Sequence, residues 1–151
     1  MTSLARAAGL EVQVGIRTDE ALRTSVPNIF ACGDVASFWH PLYERYIRVE
    51  AWQNTEDHAQ VVAGQILGKG TICNTVPFFW SDQYDLSLQI AGIPYFGCQI
   101  IRLEAGSAEL LYHLDARQRI VAATALGHNS VIGRKIAHAR RLIKQRATLD
   151  P

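Results

Sequence analysis

None of the 11 glycines in this 151-residue chain belongs to a G-x-G-x-x-G, the turn that opens a dinucleotide-binding unit. The nearest approach to a phosphate loop, Gly64-Gln-Ile-Leu-Gly68-Lys69-Gly70, is one residue short and ends in Gly rather than Ser or Thr. C-x-x-C is also missing, which argues against a dithiol redox centre. The three cysteines, Cys32, Cys73 and Cys98, are odd in number and widely spaced. That pattern predicts reduced thiols in a cytoplasmic protein rather than a disulfide framework, with Cys32 inert in an apolar strand. No apolar run approaches the roughly 18 residues of a membrane helix, so no membrane partner is expected. The opening MTSLARAAGLEVQ has no apolar signal core and is expected not to be a secretory leader. His40, His58, His113, His128 and His138 lack zinc-ligand spacing and are expected to be surface or hydrogen-bonded core histidines, with no metal site.

What the chain does have is an uneven charge. Residues 1–115 carry 7 basic and 13 acidic side chains, and residues 116–151 carry 8 basic and 1 acidic, so the formal +1 hides a basic tail. Such a tail attracts acidic partners: a protein, a nucleic acid or a membrane surface.

The local patterns predict an α+β chain. Residues 3–9 look like the end of a helix capped at Gly9. One or two short strands are expected over 11–16, a polar connector over 17–27, a buried strand over 28–32, and irregular chain over 35–48. From Val49 to Leu67, Ala51, Ala59, Val62, Ala63 and Ile66 recur at helical spacing, ended by Gly68 and Gly70. Strands follow at 86–90, 98–103, 108–114 and 119–125, the last two joined by a hairpin through Asp115-Ala116. A final helix runs over 130–145 with Asn129 as its N-cap. The second half therefore reads as an antiparallel β-sheet with flanking helices.

Thr24-Ser-Val-Pro27-Asn28-Ile29-Phe30-Ala31-Cys32-Gly33-Asp34-Val35 is the most specific signal. Small residues at Ala31 and Gly33 permit close backbone approach, and Asp34 at a strand end accepts hydrogen bonds from polyol hydroxyls. An ordinary buried strand with a Gly-Asp turn is the other reading of the same residues.

This stretch resembles the second FAD-binding motif of flavoprotein reductases with two dinucleotide-binding domains. Glu44-Arg-Tyr-Ile-Arg-Val-Glu50-Ala51-Trp52-Gln-Asn54 resembles the segment that follows it in FAD-dependent ferredoxin reductases. Pro77-Phe-Phe-Trp80-Ser-Asp-Gln-Tyr84 with Leu88-Gln-Ile-Ala-Gly92 resembles the start of their C-terminal domain. The resemblance implies a remnant of an α/β FAD-binding domain over 1–70 and a reductase C-terminal α+β domain over 71–151. It implies that Gly33 and Asp34 hold the ribityl chain of FAD, that Glu50, Ala51 and Trp52 lie by the flavin, and that Trp80 sits close to the isoalloxazine. It implies electron flow from NAD(P)H through FAD to a ferredoxin-type iron–sulfur protein, with no nucleophile or metal ligand from this chain. Because both G-x-G-x-x-G turns of the family are missing, the expectation is an inactive fragment that does not retain FAD alone and needs the missing N-terminal half. Ile29 and Phe30, normally packed on that half, would be exposed and would drive a homo-oligomer.

The basic helix bearing Arg134, Lys135, Arg140, Arg141, Lys144 and Arg146 has two readings: a solvated face, or a surface that docks an acidic ferredoxin. Nucleic acid is not expected, since no helix-turn-helix or RNA-binding pattern accompanies the charge. The alternative for the whole chain is a stand-alone interaction domain that has lost FAD and uses this tail.

Overall fold

A computed structural model describes residues 2–149. The chain divides into two compact units, Met1–Thr75 and Val76–Pro151.

The first unit begins with the short helix α1 (Ser3–Ala7), closed by Gly9, whose N–H bonds the Arg6 carbonyl. A three-stranded sheet follows: β1 (Ile16–Thr18) runs parallel to β2 (Ala36–His40), and β2 pairs antiparallel with β3 (Arg45–Ile47). The second helix, α2 (Trp52–Ile66), completes the unit. Phe38, Leu22, His40, His58 and Cys73 are its largest fully buried side chains.

Three expectations are corrected here. Residues 28–32 are not a strand; they close a loop held by the single bridge Arg23–Phe30 and by the Ala31 N–H on the Leu22 carbonyl. The turn residues account for this. Pro27 presets its φ, Asn28 takes φ 64°, and the Thr24 hydroxyl donates to the Ile29 carbonyl at 2.9 Å. Residues 35–48 are not irregular, since they form β2 and β3. Over 11–16 only a Val12–Ile16 bridge forms, and the strand lies at 16–18.

A fourth correction concerns the buried face of α2. Asn54, His58, Val61 and Gly64 are buried, while Ala59, Ala63 and Ile66 are exposed. Much of the apolar stripe read from the sequence thus faces outward, with Ala51 and Val62 half-buried, and the inner side mixes Asn54 and His58 with Val61 and Gly64.

In the second unit, β4 (Phe78–Gln83), β5 (Leu86–Gly92), β6 (Gln99–Ala105), β7 (Ala108–Leu114) and β8 (Ile120–Gly127) form one antiparallel sheet in the order β4-β5-β8-β7-β6. The strand β4 was not read from the sequence. The β7–β8 turn is fixed by Asp115, whose carboxylate accepts the Arg117 and Arg119 N–H groups and pairs with the Arg119 guanidinium at 2.7 Å. The third helix, α3 (Asn129–Lys144), lays Ile132, Ile136, Ala139 and Ile143 on the sheet, all buried. That spacing is one face of a helix, and Ala123 and Ala125 lie on the same face of β8 as Gly127, where a Cβ would stand 3.3 Å from Ile132, so small residues let the helix approach closely. The N-cap position belongs to His128 rather than Asn129, because Asn129 is spent on the sheet, where its Oδ1 accepts from Gln89 Nε2 at 2.8 Å.

Candidate functional site

The Thr24–Ala31 loop delivers the chain into a single 3₁₀ turn, Gly33–Val35, just before β2. Gly33 is buried at φ +71°, a left-handed conformation that costs any residue with a Cβ. The turn packs on the first half of α2: Thr55 side-chain atoms lie 3.5 Å from where a Gly33 Cβ would be, and the Gly33 N–H donates to His58 Nδ1 at 3.1 Å. From the other side, Arg48 Nε donates to the Asp34 carbonyl at 2.6 Å, and its Nη2 pairs with Glu50 at 2.6 Å. Gly15 makes room for this packing; a Cβ there would stand 2.6 Å from the Val35 carbonyl.

Within the first unit, then, the structure brings Gly33, Asp34 and Glu50 together through Arg48, and puts Ala51 and Trp52 at the N-terminus of the helix that backs the turn. Asp34 is exposed, and among the described residues its carboxylate has no hydrogen-bond partner. Trp52 is 65% exposed. Cys32 is exposed, not buried as expected, because the chain around it is a loop and not a core strand.

Arg48, Thr55 and His58 were missed as site residues. Arg48 stood inside a recognised segment without a role. The signal for His58 was the buried face of α2, where Asn54 and His58 recur one turn apart; Thr55 is exposed and gave none. The Asn54 side chain donates to the Val49 carbonyl at 3.1 Å and ties the helix start to the segment carrying Arg48. Burial pushes the His58 pKa down to about 4, with Asp57 opposing and His40 assisting, so the imidazole is neutral at pH 7. His40 is also buried: its Nδ1 accepts the Leu42 N–H at 3.3 Å, so Nε2 carries the proton donated to the Thr75 carbonyl at 2.9 Å.

In the second unit Trp80 stacks on Phe78 with ring centroids 5.7 Å apart, and it stays 39% exposed. The basic residues of α3 do not share one face. Arg134, Arg141 and Lys144 are exposed, whereas Lys135 and Arg140 are half-buried. The Arg140 guanidinium lies 5.0 Å over the Phe78 ring. Arg141 reaches His138 on the same outer face at 3.4 Å. Among the described residues there is no cluster of metal-ligating side chains, and no helix is long and apolar enough to cross a membrane.

Two families match the chain: "Pyridine nucleotide-disulphide oxidoreductase" over residues 1–61 and "Reductase C-terminal" over residues 78–151. The ferredoxin–NAD(+) reductase component of the anthranilate 1,2-dioxygenase system of Burkholderia cepacia is 40% identical over 98% of this chain and 36% of its own length. This chain corresponds to the C-terminal part of the ferredoxin-reductase family. Members of that family are FAD-dependent. The corresponding component of the p-cumate 2,3-dioxygenase system of Pseudomonas putida is 36% identical, with 91% of this chain and 33% of the relative covered. A covalent putidaredoxin reductase–putidaredoxin complex superposes with a TM-score of 0.88 at 31% identity, covering 99% of this chain and 35% of that one. The chain thus spans about a third of the length of the relatives it matches.

Proposed function

We propose that the chain supplies the polyol-holding turn and the C-terminal domain of a reductase that passes electrons from NAD(P)H through FAD to a [2Fe–2S] ferredoxin. The observation that supports this best is the Gly33–Val35 turn. Its backbone is held by Arg48 on one side and by His58 on the other, while the Asp34 carboxylate is exposed and unpartnered among the described residues. A fixed carboxylate with open lone pairs suits the hydroxyls of a ribityl chain, so the residues present fit FAD.

In this reading FAD, when bound, supplies the hydride-accepting and single-electron chemistry. The chain's own residues orient and enclose. Asp34 accepts hydrogen bonds from the polyol. Arg48 holds the Asp34 carbonyl and keeps Glu50 beside it. Trp52 offers an exposed aromatic surface at the start of α2, and Trp80 does the same on β4. On α3, Arg134 and Arg141 present cations to an acidic ferredoxin. Retention of FAD requires a partner segment carrying the pyrophosphate-binding turn, since no G-x-G-x-x-G is present.

Reconstitution tests the proposal. The purified chain is mixed with the N-terminal two thirds of the Burkholderia cepacia relative, and flavin retained through gel filtration and NAD(P)H-dependent ferredoxin reduction are measured. The mixture is expected to retain flavin and reduce ferredoxin, and Asp34→Ala is expected to lose both. Flavin retained equally by Asp34→Ala would remove the site assignment.

A further inference from the structure

We propose that His58 is the positioning residue of the Gly33–Asp34 turn. Its imidazole takes the Gly33 N–H and so fixes the backbone from which Asp34 offers its carboxylate to a polyol. The proposal rests on the reading of Asp34 given under Proposed function.

The hydrogen bond defines the ring's state. An amide N–H only donates, so Nδ1 presents its lone pair to Gly33 and the ring proton sits on Nε2. That second nitrogen is buried and has no hydrogen-bond partner among the described residues. An unsatisfied buried N–H is costly. A side chain needed only to fill this space would do better without a heteroatom: the ring stands edge-on to Phe38, centroids 4.5 Å apart, in surroundings that a phenyl would suit. The unsatisfied nitrogen is offset by what Nδ1 does, which is to satisfy an N–H buried in a left-handed turn that no strand or helix ladder serves.

The bond sits where it controls Asp34. Gly33 is the residue with the most backbone freedom in the turn, and its N–H is held one residue before Asp34. The next carbonyl, that of Asp34, is held by Arg48. Removing the first anchor lets Gly33 leave φ +71° and turns the Asp34 side chain with it. Thr55, one helical turn before His58, lies against the same glycine, and the bond from Gly33 to the imidazole is buried.

The test uses the full chain, isotope-labelled, by NMR. The wild type should show His58 as the Nε2–H tautomer and a slowly exchanging Gly33 amide. His58→Phe keeps the ring volume without the acceptor, and should speed Gly33 exchange at least tenfold and shift the Asp34 resonances. His58→Asn places an amide oxygen near the Nδ1 position and should restore protection. An Nδ1–H tautomer in the wild type, or equal Gly33 exchange in folded His58→Phe, overturns the proposal whatever flavin does. In the reconstituted mixture, His58→Phe should also weaken flavin retention, and His58→Asn should recover it. If His58→Phe frees the Gly33 amide but Asp34→Ala leaves flavin retention unchanged, the reading of Asp34 fails while the hold of His58 on the turn stands.

Discussion

Acid should destabilise the first unit through one buried imidazole. His58 is fully buried, and its pKa is about 4 against an ordinary 6.5. Below pH 6.5 the unfolded chain takes up a proton at this site that the folded chain refuses. Stability from this group is therefore complete above pH 6.5 and is lost as pH falls toward 4. Linkage over that interval gives a loss of about 2 kcal/mol by pH 5 and about 3 kcal/mol in the acid limit. The assay is urea unfolding at pH 7 and pH 5 in a Trp80→Phe background, so that the fluorescence comes from Trp39 and Trp52 of the same unit as His58. Comparison with His58→Asn, which does not titrate, cancels the carboxylates common to both chains. The variant is expected to start less stable at pH 7 and to lose about 2 kcal/mol less between the two pH values. Equal losses in the two chains would refute the reasoning, because a neutral, buried imidazole must resist protonation.

Three further outcomes follow from the same geometry. Gly33→Ala should cost about 1–2 kcal/mol in chemical denaturation from the left-handed backbone alone, since the added Cβ meets Thr55 at an ordinary 3.5 Å; a cost-free substitution would contradict the conformation. In the native chain Cys32 and Cys98 should react rapidly with a thiol reagent while Cys73, 2% exposed, reacts only after unfolding; a protected Cys32 would restore the buried-strand reading. Arg134→Glu with Arg141→Glu should slow association of the reconstituted reductase with an acidic ferredoxin about tenfold at low salt and much less at high salt; an unchanged rate at low salt would remove α3 from the docking surface.

The second unit was the more legible half. Its strands alternate or run fully apolar, and the α3 stripe at 132, 136, 139 and 143 carries the helical period without interference. The strand missed there, β4, is an edge strand whose Phe78, Phe79 and Trp80 leave no alternation to read. In the first unit the motif over 24–35 located the turn correctly but misled about its backbone. Ile29, Phe30, Ala31 and Cys32 have the composition of a core strand, yet Pro27 and Asn28 commit the chain to a loop with one bridge. Turn chemistry outweighed hydrophobicity over so short a run.

The inner face of α2 explains the remaining failure, and it is a failure of the usual pattern rule. Hydrophobic periodicity finds the buried side of a helix only when that side is packed by apolar groups. Here His58 faces Gly33 and Phe38 and Asn54 reaches the Val49 carbonyl, because the neighbouring backbone presents an N–H and a carbonyl that need partners. Ala59, Ala63 and Ile66 therefore face outward in the described chain, while the polar residues do the internal work. A helix whose buried side carries polar groups at its first two turns has that part of its sequence set by the groups it must satisfy. That is why the residue that fixes the Gly33–Asp34 turn lay 25 positions away from it, on a helix whose visible pattern pointed to the opposite side.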